Sequence, residues 1–146
     1  DINQDRLEEV RDKYSVTIYE GANIYAEEMD IYAPCALGAT VNDQTLPHLK
    51  AKVIAGAANN QLADEVRDAQ LCTDKGIVYA PDFLINAGGL INVYSEIKGY
   101  NREEALVQTR KIYDTTLEIL LKAEDENITT HQAALAIAEQ RIQDNK

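Results

Sequence analysis

The stretch Gly76-Ile77-Val78-Tyr79-Ala80-Pro81-Asp82-Phe83-Leu84-Ile85-Asn86-Ala87-Gly88-Gly89-Leu90-Ile91-Asn92-Val93 decides the fold. Its first five residues form a short apolar run that reads as a buried strand. Pro81-Asp82 ends the run, and the Asp82 carboxylate is expected to cap the free N–H groups of the helix that follows. That helix is expected to run from Asp82 to Lys98. Gly88-Gly89 falls inside it, and each glycine there costs the helix about 1 kcal/mol against alanine. The cost makes sense where something approaches the backbone closely or another element packs tightly. Asn86 lies one turn ahead, where its amide can face the same visitor.

The same grammar recurs upstream. Ala51-Lys52-Val53-Ile54-Ala55-Gly56 reads as a strand that enters Ala57-Ala58-Asn59-Asn60. Asp30-Ile31-Tyr32-Ala33-Pro34 reads as another, ended by its proline, and β-branched Ser15-Val16-Thr17-Ile18-Tyr19 as a third. Between them the periodicity predicts a helix over 5–13, a turn at Gly21-Ala22-Asn23, a helical turn over 25–28, a short helix or helical turn over 42–49 and a helix over 64–74 stopped by Gly76. Gly99-Tyr100-Asn101 breaks the pattern, and Asn101 can cap a long helix over 102–124. Thr129 or Thr130 caps a last one.

Brief apolar strands alternating with helices predict an α/β fold with a parallel sheet covered on both faces. The fold class is a partial Rossmann-like, doubly wound sheet over residues 1–100 with a helical tail over 101–146. Ligands bind such sheets beyond the carboxyl ends of the strands. The rim there comprises Pro34 to Gly38, Gly56 to Asn60, Asp82 to Gly89 and the start of the chain at Asp1.

Composition narrows the classes. In 146 residues, enough for one real core, 25 acidic side chains face 14 basic ones, a net charge of −11. That leaves no electrostatic footprint for nucleic acid. No apolar run reaches the 18 or so residues of a membrane span, and no signal-peptide pattern is visible. Cys35 and Cys72 fit neither a zinc spacing nor a disulfide framework, so no metal site and a reducing cytoplasm are expected. Neither G-x-G-x-x-G nor G-x-x-x-x-G-K-[ST] occurs. Asp1 has two readings: an ordinary acid beside a helix, or the ribose-binding acid of a dinucleotide fold whose first units lie upstream.

Four segments carry a family resemblance. They are Ala33-Pro34-Cys35-Ala36-Leu37-Gly38-Ala39, Lys52 to Leu62 with its Gly56-Ala57-Ala58-Asn59-Asn60-Gln61 core, Gly76 to Gly89, and Gly99-Tyr100-Asn101-Arg102-Glu103. In this order and spacing the chain resembles the glutamate/leucine/phenylalanine/valine dehydrogenases, and most of all the leucine members. The resemblance covers essentially the whole chain. It implies the C-terminal, NAD-binding part of an amino acid dehydrogenase. The catalytic lysines and aspartate are then expected in an N-terminal domain not contained here, so this part alone is expected to be inactive. It also implies reversible oxidative deamination of L-leucine and other branched-chain amino acids to 2-oxo acids and ammonia. In that reaction hydride passes from the substrate Cα to the nicotinamide and the imine hydrolyses.

Carried over by the resemblance, Asp1 takes the adenosine ribose, favouring NAD over NADP. Cys35, Ala36, Leu37 and Gly38 line the cofactor, largely through backbone. Ala58, Asn59 and Asn60 reach the nicotinamide ribose and the substrate, with Asn60 nearest the reacting amino or keto group, and Asn86 lies by the nicotinamide carboxamide or the substrate. Gly89, Leu90 and Val93 line the substrate, Val93 where glutamate-using relatives have a serine. A carboxylate against valine would lose its water without a partner, whereas an aliphatic side chain gains about 1–3 kcal/mol on burial. Phenylalanine dehydrogenase is an alternative that Leu90, Val93 and Tyr94 do not exclude. A catalytically incomplete structural or assembly module is another. An exposed strand edge in a partial sheet predicts self-association, hence a homo-oligomer.

Overall fold

The computed structural model describes residues 1–19 and 22–144. The elements run α1 (Gln4–Tyr14), a 3-10 turn (Ala22–Ala26), β1 (Ile31–Tyr32), β2 (Val53–Ile54), α2 (Glu65–Asp74), β3 (Val78–Tyr79), α3 (Asp82–Ile85), α4 (Gly88–Ile97), α5 (Arg102–Glu126) and α6 (Thr130–Asp144). The three apolar runs become parallel strands in the order β1-β2-β3. Ile31 pairs with Val53 and Val53 with Val78, one step before the Tyr32, Ile54 and Tyr79 row. This is one half of a doubly wound sheet. Ile54 on the central strand is fully buried, and Val41, Leu46, Leu62, Cys72 and Tyr79 belong to the same core. A second core, Ile119, Ala123, Ala133, Ala134 and Ile137, joins α5 to α6.

The helix ends follow their sequence signals. Asp64 accepts hydrogen bonds from the N–H groups of Val66 and Arg67 at 3.1 and 2.8 Å, and Asn101 does the same for Glu103 and Glu104. Gly76, just past α2, takes φ +69°, a value that glycine adopts without strain. At α6 both threonines act. Thr129 Oγ1 accepts from the Gln132 N–H at 3.1 Å while Gln132 Oε1 accepts from the Thr129 N–H at 3.0 Å, a reciprocal cap. Thr130 Oγ1 instead donates to the Tyr79 carbonyl at 2.6 Å, tying the last helix to the last strand.

Three expectations are corrected. Residues 15–19 form no strand: Ser15, at φ 55°, closes α1, and no described strand pairs with the run that follows. β-branching favours a strand only when a neighbour completes the ladder. Residues 42–49, by contrast, keep to the expected helical-turn alternative: the Asn42 side chain accepts from the N–H groups of Gln44 and Thr45, both at 2.9 Å, and the N–H groups of Leu46 and Leu49 donate to the carbonyls of Asn42 and Thr45 at 2.9 and 3.1 Å. The helix expected over 82–98 is two helices, broken at Asn86-Ala87. Asp82 is not a cap: Pro81 precedes the helix without a side-chain bond, and the Asp82 carboxylate accepts from the buried Tyr79 hydroxyl at 2.8 Å. A buried phenol needs a partner, and Asp82 is the one within reach. Of the turn expected at Gly21-Ala22-Asn23, Gly21 lies outside the described residues, as do the last two residues of the tail, Asn145 and Lys146.

Burial has a titration consequence. It pushes the Cys72 thiol from 9.0 up to about 12, helped by the charge of Asp68. Burial, then the bond to Asp82, raises the Tyr79 phenol above its ordinary 10.0. Both stay neutral in the folded chain over a range where the unfolded chain ionises. Their contribution to stability is therefore complete below the unfolded pKa and is lost as pH rises towards the folded one. Denaturant unfolding midpoints are expected to hold level at neutral pH and to fall progressively above about pH 9; a level midpoint up to pH 11 or so would contradict this burial.

Candidate functional site

The carboxyl ends of β1, β2 and β3 lead into three loops, residues 33–41, 55–63 and 80–87, and these loops lock together. Gly56 lies so close to Pro34 that a Cβ there would stand 2.1 Å from the Pro34 carbonyl oxygen. That oxygen accepts from the Ala58 N–H at 2.9 Å, and Cys35 Sγ accepts from the Ala57 N–H at 3.5 Å. Further along, a Cβ on Gly38 would stand 2.7 Å from the Asn59 carbonyl and 2.8 Å from that of Asn60. Ala39 N–H donates to the Asn60 carbonyl at 2.7 Å, Val41 N–H to Gln61 at 3.0 Å, and Ala63 N–H back to Val41 at 3.0 Å. Asn60 and Ala39 both take positive φ, 52° and 58°.

The third loop joins through side chains. Asn86 Nδ2 donates to Asn59 Oδ1 at 2.6 Å. This bond uses one donor and one acceptor of the pair. It leaves Asn59 Nδ2 and Asn86 Oδ1, a donor and an acceptor, for a visitor.

The structure thus brings together Cys35, Gly38, Ala58, Asn59, Asn60 and Asn86. Ala58 is buried beneath the rim, while Ala36 and Leu37 are exposed on it. Beyond Asn86, α4 carries Gly89, Leu90 and Val93. A Cβ on Gly89 would meet nothing within 4 Å, and one on Gly88 would touch only Thr109 Cγ2 at an ordinary 3.9 Å. Among the described residues nothing stands closer than 3.9 Å to a Cβ on either glycine, so tight packing does not explain the pair. Leu90 is 72% and Val93 57% exposed. Asp1 is not drawn in: its carboxylate accepts from the Asn3 N–H at 2.9 Å, on an α1 that buries no residue.

One residue escaped the sequence reading. Gln61 is fully buried, and its Nε2 donates to the carbonyls of Gly56 and Ala58 at 2.6 and 3.0 Å. The available signal was an amide wedged between Asn60 and Leu62, where the chain turns back into the core.

Apart from Asp82, which is buried against the Tyr79 hydroxyl, no Asp, Glu, Lys, Arg or His occurs in residues 33–42, 53–63 or 80–95. The exposed part of the rim can orient a polar molecule, but it carries no Asp, Glu, Lys, Arg or His to move protons. Among the described residues no cluster of His, Cys, Asp and Glu could hold a metal ion, and no helix is long and apolar enough to cross a membrane.

Parallel strands whose carboxyl-end loops close into an uncharged amide-lined rim define an α/β domain of the Rossmann-like class. The family model described as Glutamate/Leucine/Phenylalanine/Valine dehydrogenase matches residues 2–146, and the chain belongs to that family. It is 51% identical over 142 residues to leucine dehydrogenase of Bacillus cereus, covering 97% of this chain and 38% of the relative. It is 48% identical over 146 residues to L-tryptophan dehydrogenase of Nostoc punctiforme, covering 100% and 41%. Against phenylalanine dehydrogenase of Bacillus thermotolerans the identity is 49%, covering 97% and 38%. The chain therefore spans about two fifths of the length of these curated relatives. The crystal structure of the Nostoc tryptophan dehydrogenase superposes with a TM-score of 0.95 at 48% identity, over 99% of this chain and 44% of that one. A glutamate dehydrogenase structure from Thermus thermophilus, at 18% identity and TM-score 0.69 over 97% of this chain and 36% of that one, shares the fold.

The glycines separate two kinds of constraint. Gly38→Ala is expected to lower stability by about 2 kcal/mol or more, because both close atoms are backbone. Gly89→Ala is expected to leave stability level or raise it by up to about 1 kcal/mol, through helix propensity alone. Urea unfolding of the two variants measures this, and equal effects would refute the distinction.

Proposed function

We propose that this chain is the NAD-binding part of an amino acid dehydrogenase that carries out reversible oxidative deamination of L-leucine and other branched-chain amino acids, giving 2-oxo acids and ammonia. The observation that carries the reading is the Asn59–Asn86 bond at the sheet rim, with open Gly89 and exposed Leu90 and Val93 on the next helix. The remaining donor and acceptor of the amide pair match a primary carboxamide, so the residues fit the nicotinamide end of the cofactor. NAD, when bound, supplies the hydride acceptor.

In this reading Cys35, Ala36, Leu37 and Gly38 form the wall along the cofactor. Ala58, Asn59 and Asn60 face its nicotinamide ribose, with Asn86 by the carboxamide. Asp1 takes the adenosine ribose, which asks α1 to sit against parts of the protein beyond this chain. Asn60, Gly89, Leu90 and Val93 face the substrate. Acid–base catalysis falls to the remainder of the protein, in an N-terminal domain, because the one acid within the rim loops, Asp82, is buried and bonded to Tyr79. Residues 1–100 form the partial nucleotide-binding domain, and the helices of 101–146 pack back on it and towards the interdomain region. Exposed Ile97, Leu106 and Tyr113 support assembly into a homo-oligomer, and the two free thiols suit a cytoplasmic location.

A second reading, an aromatic amino acid substrate, is favoured by the near-equal identity to the tryptophan and phenylalanine enzymes. Steady-state kinetics of the complete protein decides. Expected are a higher kcat/KM for leucine than for phenylalanine or tryptophan, and for NAD than for NADP. Preference for an aromatic amino acid would replace the first reading with the second, and no deamination of any of the three would remove both.

A further inference from the structure

We infer that Gln61 is a positioning residue, whose buried amide holds the loop 56–60 in the shape that aims Asn59 at Asn86; this rests on the rim being the cofactor and substrate site. The side chain is 0% exposed, and both of its amide hydrogens are committed, to Gly56 O at 2.6 Å and Ala58 O at 3.0 Å. Two carbonyls can be met only by the NH2 end, so the chemistry fixes the orientation of the amide. The main chain of Gln61 is committed too, since its carbonyl accepts from the Val41 N–H at 3.0 Å. One residue therefore braces the loop from within and fastens it to the neighbouring loop.

Asn59 stands on the outer side of that braced loop. It is exposed, and its side-chain hydrogen bond among the described residues goes to Asn86. The direction of its amide is therefore inherited from the backbone, and the backbone from Gln61.

The Gln61 Oε1 atom points the same way. It is buried without a hydrogen-bond partner. An interior position that needed only volume would be better served by leucine or methionine, which bury no unpaired acceptor. The amide has value at this position for the two carbonyls it restrains.

The test uses the complete dehydrogenase containing this chain and a double-mutant cycle between Gln61→Met and Asn59→Ala. Gln61→Met keeps length and volume and removes both donors. Per folded active site, it is expected to lower kcat/KM by roughly tenfold to a hundredfold, the scale of a small misplacement of reacting groups. Adding Gln61→Met to Asn59→Ala is expected to lower it little further, since one residue acts through the other. A merely structural glutamine would lower the melting temperature and leave kcat/KM per folded site unchanged, or give losses that multiply with those of Asn59→Ala; either result overturns the inference. Gln61→Glu is the second variant, expected to lose more as pH rises and its carboxyl ionises against the two carbonyls. Insoluble protein from both Gln61 variants would assign the residue to folding and overturn the inference as well. If Asn59→Ala alone leaves kcat/KM intact, the reading of the rim fails; if Asn59→Ala is impaired and Gln61→Met is not, only the role of Gln61 fails.

Discussion

Two stretches of main chain meet in this domain with no room for a methyl group between them. Gly56 rests on the Pro34 carbonyl, and Gly38 on the carbonyls of Asn59 and Asn60. Everything at the sheet rim follows from that approach. Because the backbones touch, their N–H and carbonyl groups can pair directly, and the ladder continues past the short strands as far as the single bridge between Val41 and Leu62. Strands of two residues would be a weak scaffold alone. Extended by paired loops, they hold asparagine side chains in fixed relation.

The glycines of the rim therefore do unlike things. Those at 38 and 56 permit contact between parts of the same chain. That at 89 borders open space, on a helix whose apolar side chains are largely unburied. The first kind belongs to folding; the second places no demand on the packing around it. An uncharged surface lined by amides and bare backbone suits a partner recognised by hydrogen bonds and shape. Membership of the amino acid dehydrogenase family is consistent with such a surface.

Much of the fold was legible because its signals are local. Asp64 and Asn101 cap the helices they precede, Gly76 ends α2, and three apolar runs become the three strands. What was not legible depends on distant partners. Ser15 to Tyr19 has strand composition and no strand to pair with among the described residues. Asp82 has a capping position, but the Tyr79 phenol claims its carboxylate, and the helix breaks at Asn86 where the amide turns to Asn59. The meeting of Asn59 and Asn86 could be anticipated from topology, since parallel strands bring their carboxyl-end loops to one edge. The bracing by Gln61 could not, because nothing in a sequence says which buried amide faces two carbonyls. The structure does not draw Asp1 into the rim, so its role rests on resemblance alone.

The bond from Thr130 to the Tyr79 carbonyl joins groups 51 residues apart in the chain. At a ribosomal pace of about 5–20 residues per second, the last strand waits roughly 3–10 s for the helix that completes its outer end. Until then the strand carbonyl and the apolar surface beneath α6 face solvent in the nascent chain. Maturation of this domain is therefore a late event in its synthesis. Pauses in translation between the codons for Tyr79 and Thr130 lengthen the interval in which chaperones must shield it.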